Sequence, residues 1–388
     1  MFDLIVIGAG PAGSAAAYTA AVSGLDVLLI EKERFPRPKP CGGAISERAL
    51  FYMDGDLPAS LQENEIYGAK ISYKDKSVEV VKEHRIAVLI ARDQFDHYLL
   101  QKALRAGALI QRDKIHDFFE EDDFVRVYNK QRHQYRAKYL IIAEGAHGKL
   151  KYQIRGRESK DRYGFGLVAE LKPSGTQTSA LPKKIMEFQF GITSRGYGWI
   201  FPHKNHHSVG IYGIAREMNG AKSKLQTLCG HSGFSAGCSP KGHVIPLGWP
   251  RKKLTGKRTF LCGDAGGFVD TFSGEGIAYA IRSGQIASQK IAAALPQDDA
   301  TDVTTAYEKD CREEFDDNLK YAFRFAECLR KYPDLLFSIF AGDERMIHDY
   351  LDVPAMEATY KQLFYRMLRR AFPQLPGLLR ERLRVNTD

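Results

Sequence analysis

Gly8, Gly10 and Gly13 stand in the spacing G-x-G-x-x-G, and the carboxylate of Glu31 follows eighteen residues after the third glycine. Residues of these types at this spacing can hold a dinucleotide. Gly8 allows a tight turn, Gly10 lets a pyrophosphate approach the main chain, and Gly13 lets a helix pack closely on a strand. Ala12, inside the same turn, is counted with them as a cofactor contact. Glu31 can accept hydrogen bonds from both hydroxyls of an adenosine ribose, so it favours a ribose with a free 2′-hydroxyl.

A strand, a turn, a helix and a second strand must position these groups. "DLIVIG" is a short apolar run ending at glycine, "PAGSAAAYTAAVSG" is alanine-rich with a closing glycine, and "DVLLIE" is a second apolar run ending in the acid. This βαβ unit turns the positive end of its helix toward the phosphates. Alone it does not separate FAD from NAD.

Two later stretches bear on that choice. "RTFLCGDAGGFVDTFSGEGIAYAIRSG" (258–284) reads as a strand, a glycine-rich loop and a helix. Asp264 at the strand end can accept a hydrogen bond from a ribityl hydroxyl, and the amides of Gly276 and Ile277 at the helix start face negative charge. Reduced isoalloxazine carries that charge at its N1/C2-oxygen edge. In "ARDQFDHYLLQKALRAGA" (91–108) the apolar residues follow helical spacing, and Arg92 just ahead of the helix can reach a pyrophosphate or ribityl chain. A surface salt bridge explains Arg92 as well.

In chain order, Gly8 to Gly13 with Glu31, R-x-x-F-D-x-x-L at Arg92 to Leu99, and Gly263-Asp264 resemble the FAD-binding signature of the p-hydroxybenzoate hydroxylase-like flavoproteins. The FAD domain of that fold is discontinuous. "LIIAEGAHG" (140–148) resembles its third motif in altered form, and no role is transferred to it. "KPCGG" (39–43) together with "GYGWIFPHKNHHSVGIYG" (196–213) resembles the geranylgeranyl reductase family rather than the aromatic hydroxylases. Tyr197, Trp199, Phe201 and Pro202 match that family's aromatic-x-Trp-x-Phe-Pro segment; Gly210 and Gly213 follow one residue further apart than its usual glycine pair. The resemblance implies FAD as cofactor, contacts to it from Cys41, Gly42, Gly43 and Ala44, and an isoprenoid or prenylated lipid substrate along Tyr197, Trp199 and Phe201.

Alternation puts those three rings on one strand face. They form either a stiff apolar wall for a prenyl chain or core between sheet and helix. Cys41 has two roles open: a thiol that protonates the substrate carbon after hydride transfer, or a small polarizable residue that shapes the cavity. An isolated prenyl double bond is not activated, so orientation, a dry cavity and a placed proton source must promote its reduction. The expected activity is FAD-dependent saturation of carbon-carbon double bonds in a polyprenyl chain. An FAD-dependent aromatic monooxygenase and a non-catalytic electron carrier to quinone are the alternatives. The electron donor is NADPH or a ferredoxin-like protein, since no second glycine fingerprint selects a nicotinamide.

The expected fold class is α/β: a Rossmann-type FAD-binding domain from 1–60, 84–150 and 255–295, an antiparallel-sheet substrate domain from 61–83 and 151–254, and a helical C-terminal region from 296–388. With 388 residues, 44% of them hydrophobic, the chain can bury a core in two or three units. Its net charge of +9 suggests an anionic partner, but no reader motif supports nucleic acid. The basic, apolar-interleaved segment 361–384 suits either a helix on an anionic membrane or one docked on the parent domain. Six cysteines without a C-x-x-C pair read as reduced thiols, and no leader or long apolar window appears. A cytoplasmic protein is expected, with any membrane contact peripheral. His203, His206 and His207 read as a solvated connection lacking acidic ligands nearby, so no metal is predicted.

Overall fold

The computed structural model describes residues 1–53, 57–172, 184–231, 234, 239–295, 300–342 and 344–371. β1 (Phe2–Ile7), α1 (Pro11–Val22) and β2 (Val27–Glu31) form the βαβ unit, with β1 and β2 parallel. Both strands are nearly continuous apolar runs because both faces of the sheet are covered. The chain then passes through the Cys41 loop into β3 (Ala44–Ser46) and the short α2 (Glu47–Phe51). β4 (Gln62–Ile66) precedes the hairpin β5 (Gly68–Tyr73) and β6 (Lys76–Val81), and β7 (Ala87–Ile90) leads back. Strands β3, β7 and β4 make a small sheet of their own.

α3 (Arg92–Arg105) returns the chain to the first sheet, where β8 (Leu109–Arg112) lies parallel to β2. β9 (Ile115–Glu120), β10 (Val125–Asn129) and β11 (Gln134–Ile142) form a meander whose last strand runs parallel beside β1. After α4 (Tyr152–Arg155) come β12 (Tyr163–Leu171), β13 (Ile185–Phe190), β14 (Tyr197–Pro202), β15 (His207–Ile214), α5 (Ala221–His231) and β16 (Lys241–Pro246). These strands build a second sheet in the order β16-β12-β15-β14-β13-β5-β6. It is antiparallel except where β5 lies parallel to β13, because that hairpin arrives from a separate excursion of the chain.

β17 (Thr259–Leu261) re-enters the first sheet beside β11 and feeds α6 (Ile277–Ala294). The remainder is helical: α7 (Ala300–Lys331), α8 (Pro333–Gly342), α9 (Glu344–Leu351) and α10 (Tyr360–Ala371). The alanine content of α1 has a packing cause. A Cβ on Gly284 of α6 would sit 2.3 Å from the Ala12 carbonyl, and Ser288 Oγ donates to Ala16 O at 2.8 Å. Bulkier side chains would push the two helices apart.

α10 decides between the two readings of the basic segment as far as it is described. Tyr360, Leu363 and Met367 are buried in the aromatic core, while Lys361 pairs with Asp317 and Arg366 with Asp349. The helix docks its apolar face; residues 372–384 of the segment lie outside the described residues. Among the described residues no helix is long and apolar enough to cross a membrane.

Candidate active site

One cavity of about 890 Å³ runs from the glycine turn to the aromatic strand β14. At its first end Gly8 has φ +99°, and a Cβ there would lie 2.5 Å from the Ala143 carbonyl oxygen. A Cβ on Gly13 would lie 1.7 Å from the Gly8 carbonyl oxygen, so both positions are closed to any side chain. Gly10 differs, because its nearest neighbour would be Arg37 Nη2 at 3.8 Å, and it opens to the cavity. Ala12 lines the cavity and packs under Gly263, whose Cβ would meet Ala12 Cβ at 2.9 Å. Glu31 is buried, its Oε2 accepting from Ala9 N at 2.7 Å and its Oε1 from Glu33 N at 2.9 Å.

Asp264, Gly276 and Ile277 line the same cavity from across the sheet. Gly276 is the N-cap of α6, and neither it nor Gly10 before α1 carries a side-chain cap. Two helix N-termini with free amides therefore open into one elongated space, a pair of subsites for negative charge.

Arg92 is the first residue of α3 and does not lie on the surface. Its guanidinium meets Asp96 twice, Nε to Oδ1 at 2.9 Å and Nη2 to Oδ2 at 3.0 Å, and Arg37 reaches the same carboxylate at 3.2 Å. The surface salt bridge expected as an alternative is thus a buried one, because α3 turns its first residue toward the cavity. The Cys41 thiol faces the Arg92 guanidinium as well.

The Cys41 loop joins the two ends. Gly43 N donates to Cys41 Sγ at 3.4 Å, and Ala44 starts β3 at the cavity wall. The bare side of Gly42 is taken by the aromatic strand: a Cβ would meet the Phe201 ring at 2.8 Å and Trp199 Nε1 at 3.2 Å. Gly43 has φ +80°, with Ile90 O and the His203 ring on its open side.

Tyr197, Trp199 and Phe201 line the cavity and belong to the core around Phe272 and Phe325, so wall and core are the same rings. Trp199 Nε1 donates to Ser208 Oγ at 3.2 Å, and the Tyr197 hydroxyl donates to Ser273 O. Trp199 faces Gly210 across the ladder, where a Cβ would lie 2.1 Å from the indole. Gly210 is there to admit the ring.

His203 and His206 lie in the connection between β14 and β15, where Lys204 and Asn205 are exposed, and His207 opens β15. The His203 side chain is covered, with Nε2 on Gly42 O at 3.0 Å and Nδ1 on Glu63, which lies 140 residues away in sequence. Glu63, His203 and His206 bring their ligand atoms together, so an acidic partner does stand nearby. Sequence spacing could not show it, since β4 and β14 meet only in the folded chain.

Several cavity residues carried no local signal. Lys39 Nζ lies 2.6 Å from His243 Nε2 of β16; burial lowers the ammonium to about 8 and the imidazole, also facing Lys39, to about 3. Tyr350 and Tyr360 reach the cavity from the C-terminal helices, and Ser46 and Glu275 from the segments before α2 and α6. The stretch around Glu144, to which no role was transferred, also lines it.

The family described as an FAD binding domain matches residues 1–320. A digeranylgeranylglycerophospholipid reductase from Methanopyrus kandleri is 30% identical over 358 residues, covering 84% of this chain and 90% of its own. The chain belongs to the geranylgeranyl reductase family. As a member of the geranylgeranyl reductase family it is an FAD-dependent oxidoreductase. A geranylgeranyl diphosphate reductase from Rhodobacter capsulatus is likewise 30% identical, over 79% of this chain and 78% of its own. In three dimensions a geranylgeranyl bacteriochlorophyll reductase-like protein from Thermoplasma acidophilum superposes with TM-score 0.80 at 22% identity, over 98% of both chains. A flavin-dependent brominase gives 0.69 at 19% identity over 91% of this chain and 93% of its own, so reductases and halogenases share the fold. The uncapped helix ends, the exposed Gly10 backbone and the lining cations Arg37 and Lys39 fit the anionic dinucleotide that the geranylgeranyl reductase family uses.

Proposed function

We propose that the protein saturates isolated carbon-carbon double bonds of a polyprenyl chain carried by a lipid or a diphosphate. The observation that supports this most directly is the continuity of the cavity. Its dinucleotide end leads past the Cys41 loop to an apolar end walled by Tyr197, Trp199 and Phe201. Gly8, Gly10, Ala12, Gly13 and Glu31 would hold the adenosine and pyrophosphate, with Arg92, Asp264, Gly276 and Ile277 along the ribityl and ring system. When bound and reduced, FAD supplies the hydride. The chain's own residues must do the rest. The aromatic wall orients the apolar substrate and excludes water, and Gly42 lets that wall press directly on the cofactor loop.

NADPH or a ferredoxin-like protein serves as electron donor in this reading. Contact with an anionic membrane would use basic residues beyond the docked face of α10, and vesicle pelleting at moderate salt checks it: no binding removes that contact.

The reaction is tested anaerobically. The flavin is reduced with dithionite, geranylgeranyl diphosphate or a prenylated lipid is added, and flavin reoxidation and product mass are followed together. Reoxidation with a gain of two hydrogen atoms per double bond is expected. Reduced flavin that persists with every prenyl substrate, yet in air inserts oxygen into an aromatic ligand, replaces the reductase with a monooxygenase.

A further inference from the structure

Beside the apolar end of the cavity lies a group of ionisable side chains that holding the cofactor does not require. Glu275 directly precedes the N-cap of α6, lines the cavity and leaves 18% of its side chain exposed. Ser46 Oγ donates to its Oε1, and Arg48 Nη1 lies 3.3 Å from its Oε2. Arg48 is buried and held in place by the Tyr279 hydroxyl at 3.0 Å and by Val353 O at 2.8 Å.

A second carboxylate stands behind the first. Asp270 is fully buried, and its Oδ1 accepts from Phe272 N at 2.7 Å and Ser273 N at 2.9 Å. The Tyr360 hydroxyl faces the carboxyl, though its other oxygen, Oδ2, lacks a well-formed hydrogen bond. Tyr350 faces both acids from α9. Arg48 is the cation that meets Glu275.

Two acids and one base in a desolvated site leave a net negative charge if all three ionise. Low dielectric makes that state costly and favours a proton held within the group. Burial raises the Glu275 carboxyl; Arg48 and the Ser46 hydroxyl oppose the rise, and Asp270 adds to it. Burial raises Asp270 too, against its amide and hydroxyl donors. Glu275 lines the cavity and Asp270 does not.

We propose that Glu275 is the proton donor of the reduction, the carboxylic acid that protonates one alkene carbon while hydride reaches the other. This inference rests on the reductase function proposed above. The π bond breaks, one C–H bond forms with the hydride, and the electron pair left on the second carbon takes the proton from the Glu275 carboxyl. The carboxylate that remains is met by Arg48 and Ser46, and water returns the proton before the next turnover. Burial raises the acid's hold on its proton, while Arg48 and Ser46 ease its release; a useful general acid needs both. Cys41 then shapes the cavity.

Glu275→Gln preserves the size of the side chain and an oxygen for Ser46 but has no proton to give. Its FAD content and its reoxidation by dioxygen stay at wild-type levels, which shows a folded, loaded protein. Its anaerobic single-turnover reoxidation by geranylgeranyl diphosphate or a prenylated lipid slows by about a hundred- to ten-thousand-fold. Wild-type reduction falls as pH rises through the titration of Glu275, and the variant loses that limb. Glu275→Asp recovers part of the rate. Independently of turnover, the infrared spectrum of the cofactor-free protein at neutral pH shows a protonated carboxyl band that Glu275→Gln removes and Asp270→Asn leaves.

Wild-type reduction by Glu275→Gln overturns the proposal, and so does a carboxyl band lost in Asp270→Asn instead. If wild type reduces no prenyl substrate, the reductase reading fails and the donor role with it, whereas a persisting Glu275 band shows that the protonated site itself was read correctly.

Discussion

Gly13 and Gly42 are both glycines with no room for a methyl group, yet what fills the space differs. At Gly13 the obstacle is backbone, the Gly8 carbonyl oxygen at 1.7 Å, and backbone tied to the end of β1 cannot step aside. Gly13→Ala is expected to yield protein without flavin, measured as flavin absorbance per mole of purified chain. At Gly42 the obstacle is the edge of the Phe201 ring at 2.8 Å, which can rotate. Gly42→Ala should therefore keep flavin while weakening the prenyl substrate; flavin loss equal to that of Gly13→Ala would refute the distinction. Cys41→Ala and Cys41→Ser are expected to keep the falling alkaline limb of the reduction rate that Glu275→Gln loses. Disappearance of that limb in both cysteine variants would return the proton to the thiol. Glycine spacing and the terminal acid were legible in the chain because each constraint is local. The Glu63–His203 pair was not, since Glu63 lies on β4 and His203 just after β14, 140 residues on.

Among the elements, β14 carries the most constraint, and the turn before it is tied down by charge. Arg195 in that turn pairs with Glu217 and, at 3.2 Å, with Glu327 of α7. The Arg195 hydrogen bond holds the Glu217 carboxyl at about 2, against an ordinary value of 4.5. Because the folded value is depressed, the unfolded chain binds the proton more readily, so this contribution is present above about pH 4.5 and is lost as pH falls toward about 2. Urea midpoints of wild type and Arg195→Gln should differ at neutral pH and converge through that window. A gap that stays constant would show that Glu217 does not carry it. The alternation of β14 followed from the sequence; the pairing of β13 with β5 did not, because β5 approaches it in parallel from another excursion of the chain.

On the scale of the whole molecule, Arg48 ties three distant parts together: α2, the loop before α6 and the segment after α9. Removing Arg48 leaves the Tyr279 hydroxyl, the Val353 carbonyl and the Glu275 carboxyl without their buried donor, at a cost of about 1–3 kcal/mol for each unsatisfied group. Arg48→Ala should lower stability by that order in denaturant titration and raise the Glu275 carboxyl further. A loss no larger than that of an exposed arginine such as Arg216 would show that the tie is not structural. FAD is expected to raise the melting temperature of wild type and not of Gly13→Ala, since a ligand that binds the folded state alone stabilises it by mass action.

The sequence by itself determined the glycine turn, the acid that ends β2, the start of α6 and the aromatic strand, because each is a short stretch whose spacing carries its own geometry. The tertiary structure alone decided what stands opposite them. It set the Cys41 loop against Trp199 and Phe201, turned Arg92 inward onto Asp96, brought Glu63 to His203, and placed Tyr350 and Tyr360 along the cavity. These contacts join residues tens to hundreds of positions apart, and their energy comes from burial and desolvation that exist only once the sheets and helices have packed.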